Sequence, residues 1–315
     1  MTRYLVRRLT FAVFLVLAVS SAGLVLARLA PGDYVIESLG VGGSAASADR
    51  ARARYGLDTP VLEQYRQWLS KAARFDFGRS LAYDRPVADL VPERAANTAL
   101  LAITALAVAT LLGLPLGIIS GSRRKGVAPA LVRAGSLVLL SMPPLLTSLV
   151  LVFAAARTGW FPIGGMRSAT SLSPGLLDVL KHMVVPVLAL ALPIAATFER
   201  LQAQAISETV DQPFVLAALA RGVSRRRVVW RDALKAALGP VASVYGLVIG
   251  SLLSGSFAVE MITAWPGLGR LMLDALRARD VYLVAGCAAA GSVFLAFGTL
   301  VSDAALALVD PRARQ

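Results

Sequence analysis

The stretch Thr98–Gly121, "TALLAITALAVATLLGLPLGIISG", runs for 24 residues without a charged side chain. A helix rises about 1.5 Å per residue, so about 20 apolar residues are enough to cross the hydrocarbon core of a membrane, which is about 30 Å thick. We therefore predict that this stretch is a transmembrane helix. The run "SRRK" that follows it is basic and marks the point where the chain leaves the lipid.

Apolar runs of this kind recur along the whole chain. Of its 315 residues, 57% are hydrophobic and 16% are charged, whereas about a quarter of the residues of a soluble protein are charged. The sequence therefore predicts an all-α membrane protein with six transmembrane helices. The predicted spans are Leu9–Leu29, Thr98–Gly121, Leu131–Ala156, Met183–Phe198, Ala237–Val259 and Leu283–Val309.

These spans divide the chain into three parts. Residues 1–30 form an N-terminal tail and the first helix, residues 31–97 form an external loop, and residues 98–315 form a five-helix core. The core contains a cytoplasmic loop at residues 199–236. The external loop is too long for a plain hairpin, so we predict a helix at 61–73 and a flexible break at "GVGGSAAS", which begins at Gly40.

The distribution of basic residues predicts the orientation of the chain. The segments on the side of the N-terminus carry 15 lysines and arginines against five acids, whereas the external loop carries nine of each. An excess of basic residues in short loops marks the cytoplasmic face. We therefore expect a multi-pass protein of the bacterial cytoplasmic (inner) membrane, with both termini in the cytoplasm.

The chain offers few residues for catalysis or metal binding. Cys287 and His182 are the only cysteine and histidine, which argues against a disulfide framework and against a metal cluster built from these ligands. The chain also contains no Gly-Lys pair, and hence no phosphate-cradling P-loop. We expect no catalytic residue, metal or other cofactor in this chain.

One cytoplasmic segment is unusually apolar. In "PFVLAALARG", Pro213 suits the first turn of a helix and Gly222 suits the position just past its end. Such a helix is expected either to lie on the membrane or to bind in a groove of a partner. The five arginines of residues 219–234 are expected to set topology and contact lipid headgroups, because no nucleic-acid recognition motif accompanies them.

Several motifs resemble those of binding-protein-dependent transport permeases of the dipeptide, oligopeptide and nickel branch. These motifs occur in the family's order and span nearly the whole chain. They are "YLVRRL" from Tyr4, "FDFGRSL" from Phe75, "PERAANTALL" from Pro92, "SMPP" from Ser141, "FPIGG" from Phe161, "LKHMVVPVLALAL" from Leu180, "FVLAALARGVSRRRVVWRDALKAALGPV" from Phe214, "EMITAWPGLGRLMLDAL" from Glu260 and "DPR" from Asp310.

The resemblance implies the membrane subunit of an ATP-driven importer with the type I permease fold, working by alternating access. Its expected partners are a homologous second permease, two ATPase subunits that carry ATP and Mg²⁺, and an extracytoplasmic substrate-binding protein. The segment that docks into the ATPase would then be the coupling helix. Its expected residues are Phe214, Val215, Leu216, Leu219, Arg221 and Gly222.

Small residues recur at every fourth position of two spans, which allows helix backbones to approach closely in lipid. The stripes contain Gly113 and Gly117 in the second span, and Gly246, Gly250 and Ser254 in the fifth. Helix packing, within the protomer or against a sister subunit, and lining of the transport pathway are the two interpretations.

Prolines are expected to interrupt the second, third and fourth spans. They are Pro115, Pro143, Pro144, Pro186 and Pro193. Because proline removes a backbone donor, each is expected to bend or loosen its helix. Met142, Pro143 and Pro144 are candidates for either a static kink or a moving gate.

The resemblance also implies that the external loop and the segment with Glu260, Trp265 and Pro266 lie beneath the binding protein. A tryptophan and a proline here also suit an interfacial anchor and a turn.

Asp303, an acid within the sixth span, is expected to pair with an arginine. Rival interpretations are a secondary transporter coupled to an ion gradient through Asp303 and a scaffolding membrane protein. The expected cargo is a di- or oligopeptide, with nickel chelates, glutathione and sugars as alternatives.

Overall fold

The computed structural model describes residues 2–32, 34–35, 49–50, 52–53, 58–72, 74, 76–123, 125–168 and 175–309. The predicted flexible break at Gly40 lies outside the described residues. In this described part the chain is helical apart from turns, bends and one isolated bridge between Arg79 and Pro86. The prediction of an all-α protein is thereby confirmed.

The longer helices are numbered here in chain order. They are α1 (Thr2–Leu29), α2 (Val61–Ala72), α3 (Val87–Ser122), α4 (Val127–Leu140), α5 (Pro144–Thr158), α6 (Leu176–Thr209), α7 (Pro213–Ala220), α8 (Arg225–Ala236), α9 (Gly239–Ile262), α10 (Leu268–Arg277) and α11 (Val281–Val309). Helix α2 confirms the helix predicted within the external loop.

The candidate membrane spans among the described residues are compatible with the six predicted ones, but two of them differ in form. Helices α1, α3, α6 and α11 are each long and apolar enough to cross a membrane. The α4–α5 pair and the α8–α9 pair pass the same criterion together but are bent by 107° and 57° at their breaks. Among the described residues there are thus four spans, or up to six if each bent pair crosses once.

The third predicted span, Leu131–Ala156, is therefore not one straight helix. Helix α4 ends at Leu140, and α5 begins at Pro144. Pro143 between them is extended, with φ −64° and ψ 151°, because a residue that precedes a proline is sterically disfavoured in the helical region. Two consecutive prolines thus break the span sharply.

The other prolines do not break their helices, and whether they bend or loosen them stays a prediction. Helix α3 continues through Pro115, and α6 continues through Pro186 and Pro193. Helix α6 is the most deeply buried of the four long spans. Neighbouring helices and side chains hold such a helix together where a proline removes one backbone hydrogen bond.

The described helices form two compact units, which are considered separately. One unit comprises residues 1–99 and 266–296. In it, the carboxylate of Asp280 accepts hydrogen bonds from the Ser80 hydroxyl at 2.6 Å, from the backbone of Ala82 at 3.1 Å and from the backbone of Leu283 at 3.0 Å. This buried carboxylate therefore caps α11 and fastens the "FDFGRSL" turn to its first residues.

The other unit comprises residues 100–265 and 297–315. Its core contains Phe198 of α6, whose ring stacks on Tyr245 of α9 with 5.0 Å between the ring centroids. The Tyr245 hydroxyl in turn lies 2.6 Å from the hydroxyl of Thr110 in α3. Helices α3, α6 and α9 are thereby joined by one aromatic contact and one hydrogen bond.

Helices α3 and α6 meet along the small residues of the second span. A Cβ atom added to Gly113 would lie 2.7 Å from the carbonyl oxygen of Ala195, and one added to Gly117 would lie 2.7 Å from that of Glu199. Gly121 is pressed against the backbone of Ala203. The stripe of the second span therefore packs within the protomer.

The structure describes only part of the stripe of small residues in the fifth span. Gly246 is buried and Gly250 is half-buried, while the side chain of Ser254 lies outside the described part. Gly298 of α11 faces α9, because a Cβ there would lie 2.6 Å from the Cγ2 atom of Ile249. A role of the α9 stripe in packing or in the pathway stays a prediction.

The α3–α6 contact predicts that two glycine-to-alanine substitutions change the free energy of unfolding differently. Gly117→Ala would force a methyl group against α6 and should lower stability by about 1–3 kcal/mol. Gly135→Ala, in the open surface of α4 where a Cβ meets no atom within 4 Å, should leave stability unchanged or raise it by about 0.5–1 kcal/mol. Thermal unfolding of the detergent-purified protein measures both. Equal midpoints for the two variants would show that the contact is not tight.

Candidate functional site

The candidate site is Pro213–Gly222, the segment that is predicted to dock into an ATPase and is called the docking segment below. Helix α7 begins at Pro213, as predicted, and Gln212 before it is extended. At its other end the Gly222 amide donates to the Leu219 carbonyl at 2.9 Å and the Val223 amide to the Ala218 carbonyl at 3.2 Å. These two bonds form a Schellman motif, which closes the helix.

Gly222 is required at this turn by its backbone conformation. Its φ is +83°, in the left-handed region that favours glycine, as the sequence predicted. A Cβ added there would meet no atom within 4 Å. The constraint is therefore conformational and does not arise from crowding.

One face of α7 is buried against the chain itself. Val215 is only 2% exposed, and Ala218 beside it is also buried. Both belong to an apolar cluster with Ile206 of α6 and with Val228 and Val229 of α8, and Leu219 packs against its edge. Val215 therefore holds α7 onto its own subunit and does not lie on the exposed surface, while the coupling role of the segment stays a prediction.

The opposite face of α7 is exposed and apolar. Phe214 is 46% exposed and Leu216 is 55% exposed. Arg221 and Gly222 at the end of the segment are exposed as well. Trp230 on α8 is a further half-exposed aromatic residue, which the sequence analysis missed although it stands out in a basic stretch. With about 3.6 residues per turn, Phe214 and Leu216 lie at the two edges of the exposed surface of α7, and the exposed Ala217 and Ala220 lie between them. We call the surface bounded by Phe214 and Leu216 the docking face.

The arginines that follow have at least one structural role. Arg225, Arg226 and Arg227 are exposed on the first turn of α8. The Arg225 guanidinium donates a 3.1 Å hydrogen bond to the Ser122 carbonyl at the end of α3. A cation at this place satisfies a free carbonyl and complements the negative end of the helix dipole. Ser224 occupies the N-cap position of α8, but its side chain makes no capping hydrogen bond.

Helix α6 extends the site further than the sequence predicted. The fourth span was expected to end at Phe198, but α6 continues to Thr209, so the first residues of the loop 199–236 are helical. Within this extension Glu199 is 2% exposed and accepts a hydrogen bond from the Ser120 hydroxyl. The sequence places Glu199 in the loop, because its charge ends the apolar run that predicts the span, although the helix itself continues.

The candidates for a binding-protein surface are not all exposed. Glu260 and Trp265 are fully buried, so the prediction that their side chains face a partner was wrong. The turn that holds them is closed by a 2.9 Å hydrogen bond from the Trp265 amide to the Glu260 carbonyl. Pro266 is half-buried, and its carbonyl accepts a hydrogen bond from the Asn97 side chain. Of Asp303 only the backbone is described.

The remaining predicted residues lie at the break in the third span. Met142 is half-buried, and Pro143 and Pro144 separate α4 from α5. Whether they move as a gate stays a prediction. Within the described residues no group of three histidine, cysteine or acidic side chains is placed to hold a metal ion.

Comparison with known proteins assigns the chain to a family. Residues 113–315 match the family described as "Binding-protein-dependent transport system inner membrane component". Residues 1–102 match the family described as "Binding-prot-dependent transport system membrane comp, N-term". Together the two matches cover nearly the whole chain.

Individual relatives are similar over their full lengths. The chain is 30% identical over 314 residues to the oligopeptide transport system permease protein AppB of Bacillus subtilis, with 99% of each chain covered. It is 33% identical over 317 residues to a putative peptide permease protein of Brucella ovis, again with 99% of each covered. It is 31% identical over 314 residues to the dipeptide transport system permease protein DppB of Bacillus subtilis, covering 99% of this chain and 98% of that one. The chain therefore belongs to the family of binding-protein-dependent transport system inner membrane components, which are transport permeases and not enzymes.

Proposed function

We propose that this permease is the membrane subunit of an ATP-driven peptide importer and that α7 couples it to a separate ATPase. The observation that carries the proposal is the two-sided character of α7. Val215 and Ala218 fasten one face to the subunit, while Phe214 and Leu216 leave the other face apolar and exposed. A short helix of this kind suits a hydrophobic groove in a partner.

The location of ATP hydrolysis follows from the absence of a P-loop in the sequence. The chain contains no Gly-Lys pair, so no loop of this chain has the motif that cradles the phosphates of ATP. ATP and Mg²⁺ would therefore bind to the ATPase subunits. Energy from hydrolysis would then reach this chain as a displacement of α7.

The contacts of α7 provide a route for that displacement. Val215 packs in one cluster with Ile206 of α6 and with Val228 of α8. Helix α8 is followed by α9 after a bend of 57°. Because packed apolar contacts resist continuous deformation, a shift of α7 would move α6 and α9 with it. Alternating access would result from such movements of the spans against a second permease subunit.

The relatives support peptides as the cargo. Their names describe oligopeptide, dipeptide and putative peptide permeases. A substrate-binding protein would deliver the peptide on the outer side, and it would select among cargoes. Nickel chelates, glutathione and sugars are the alternative cargoes that a transport assay can distinguish.

The proposed orientation places the docking segment in the cytoplasm, since the basic residues around it outnumber the acids. In a protein with Cys287→Ala, Ser224→Cys should react with an impermeant thiol reagent only after the cells are permeabilised. Ser70→Cys, on the exposed side of α2, should react in intact cells. Labelling of Ser224→Cys but not Ser70→Cys in intact cells would reverse the orientation.

The docking face can be tested with one charge substitution. Leu216→Asp should lower the amount of co-purified ATPase by about tenfold or more, because it buries an unpaired charge at an apolar contact. Permease level and thermal stability should remain normal, because Leu216 is outside the apolar cluster of its own subunit.

Leu276→Asp is the matched control for this experiment. Leu276 is a leucine of similar exposure, at 42%, on α10. This variant should retain the ATPase. Wild-type recovery of the ATPase with Leu216→Asp would show that α7 is not the coupling helix.

A further inference from the structure

A cavity of about 240 Å³ lies between α4 and α6. Its lining includes Arg133, Ser136, Leu137 and Leu140 of α4, together with Glu199 and Arg200 of α6. An apolar cavity of about 150 Å³ admits a molecule the size of benzene, so this one is large enough for a small organic group rather than a single water.

The acid in this cavity is incompletely paired. Glu199 is 2% exposed, and the Ser120 hydroxyl donates to its Oε1 atom. Among the described residues, the structure shows no ion pair of Glu199 and no hydrogen bond to its Oε2 atom. A buried carboxylate is unfavourable without a cationic partner. The Oε2 atom can therefore accept a hydrogen bond from a ligand, and a positively charged donor would stabilise the carboxylate most.

The rim of the same cavity is basic. The Arg133 guanidinium donates to the Ser120 carbonyl at 2.7 Å and to the Arg123 carbonyl at 3.4 Å, which holds it at the end of α3. Arg200 is exposed beside Glu199. Guanidinium groups bind phosphate through paired hydrogen bonds. The ligand should thus carry a negative group next to its positive one.

The cavity also continues onto an apolar surface. Leu137 is 57% exposed and Leu140 is half-buried on the same helix. The basic hairpin that joins α3 to α4 begins at Arg123, which places the cavity near one end of these spans. A ligand bound there can extend an apolar chain along α4 while its polar group remains at the membrane surface.

We propose that this cavity binds the headgroup of an amino-phospholipid, phosphatidylethanolamine. The ammonium group would donate to Glu199, and the phosphate would accept from Arg133 and Arg200. Phosphatidylcholine would fit less well, because its quaternary ammonium has no N–H to donate. A peptide carries the same two charges at its ends, but the exposed Leu137 and the half-buried Leu140 favour a ligand with acyl chains. The proposal does not depend on the cargo of the permease.

The test uses the delipidated permease complex in detergent, titrated with short-chain phosphatidylethanolamine or phosphatidylcholine. Thermal unfolding midpoints report binding, since a ligand of the folded state raises the midpoint. The wild-type protein should respond to phosphatidylethanolamine at about tenfold lower concentration than to phosphatidylcholine, as expected for one charge-assisted hydrogen bond. Equal responses to the two lipids would overturn the proposal.

Three variants show which side chains bind the lipid and which one produces the preference for phosphatidylethanolamine. Glu199→Gln should abolish the preference between the two lipids, and Arg200→Gln should weaken both lipids alike, because both contain phosphate. Glu208→Gln is the control, since Glu208 is an exposed acid on the same helix whose carboxylate accepts a hydrogen bond from Gln204. Loss of the preference with Glu208→Gln would contradict the assignment.

Two measurements keep the test decisive. If Glu199→Gln fails to fold, mass spectrometry of lipid retained by the wild-type complex should still show enrichment of phosphatidylethanolamine over phosphatidylcholine, and no enrichment would overturn the proposal. A soluble dipeptide, dialanine, should raise the midpoint of the wild-type protein and of Glu199→Gln equally, if it raises it at all, because a transported peptide would bind outside this cavity. A rise with dialanine that Glu199→Gln abolishes would mean that the cavity binds zwitterionic peptides instead.

Discussion

The close approach of α3 and α6 is the contact on which the unit with the docking segment depends. Between membrane helices the hydrophobic effect contributes little, since lipid tails are as apolar as leucine, and association relies on packing and on interhelical hydrogen bonds. Gly113 and Gly117 allow close packing and an interhelical hydrogen bond in the same contact. They bring the backbones together, and one turn further on the Ser120 hydroxyl reaches the carboxylate of Glu199.

Helix α6 transmits this contact to the docking segment. It continues past its apolar section to Thr209, and its Ile206 side chain belongs to the cluster that holds Val215. Helix α7 therefore rests on the same helix that α3 fixes in the membrane. A partner that binds Phe214 and Leu216 would act on a rigid connection to the transmembrane helices and not on a loose loop.

The sequence predicts the features that depend on local chemistry. The apolar runs predict the helices, and Pro213 and Gly222 mark the ends of α7 because their backbone preferences are local. The sequence does not predict which side of an apolar helix faces its own subunit. Val215 and Leu216 are neighbours of similar hydrophobicity, yet only tertiary packing buries the first and exposes the second.

Burial of polar residues was equally difficult to predict. Glu199 has the composition of a loop residue and Trp265 that of an interfacial anchor, but both are buried. In each case the cause is a contact with residues distant in sequence. Glu199 contacts Ser120, and the Trp265 indole packs in the core formed by α3, α6 and α9. The prolines at 143 and 144 predict a kink or a gate at this place, but the sequence does not predict the bend of 107° between α4 and α5.

Transport by the reconstituted complex tests the central claim most directly. The permease, its second permease, the ATPase subunits and the binding protein are placed in proteoliposomes, and accumulation of a labelled dipeptide is followed. The account predicts uptake that requires both ATP on the ATPase side and the binding protein, and that ionophores leave unchanged. Uptake driven by an ion gradient without ATP would contradict it and would indicate a secondary transporter.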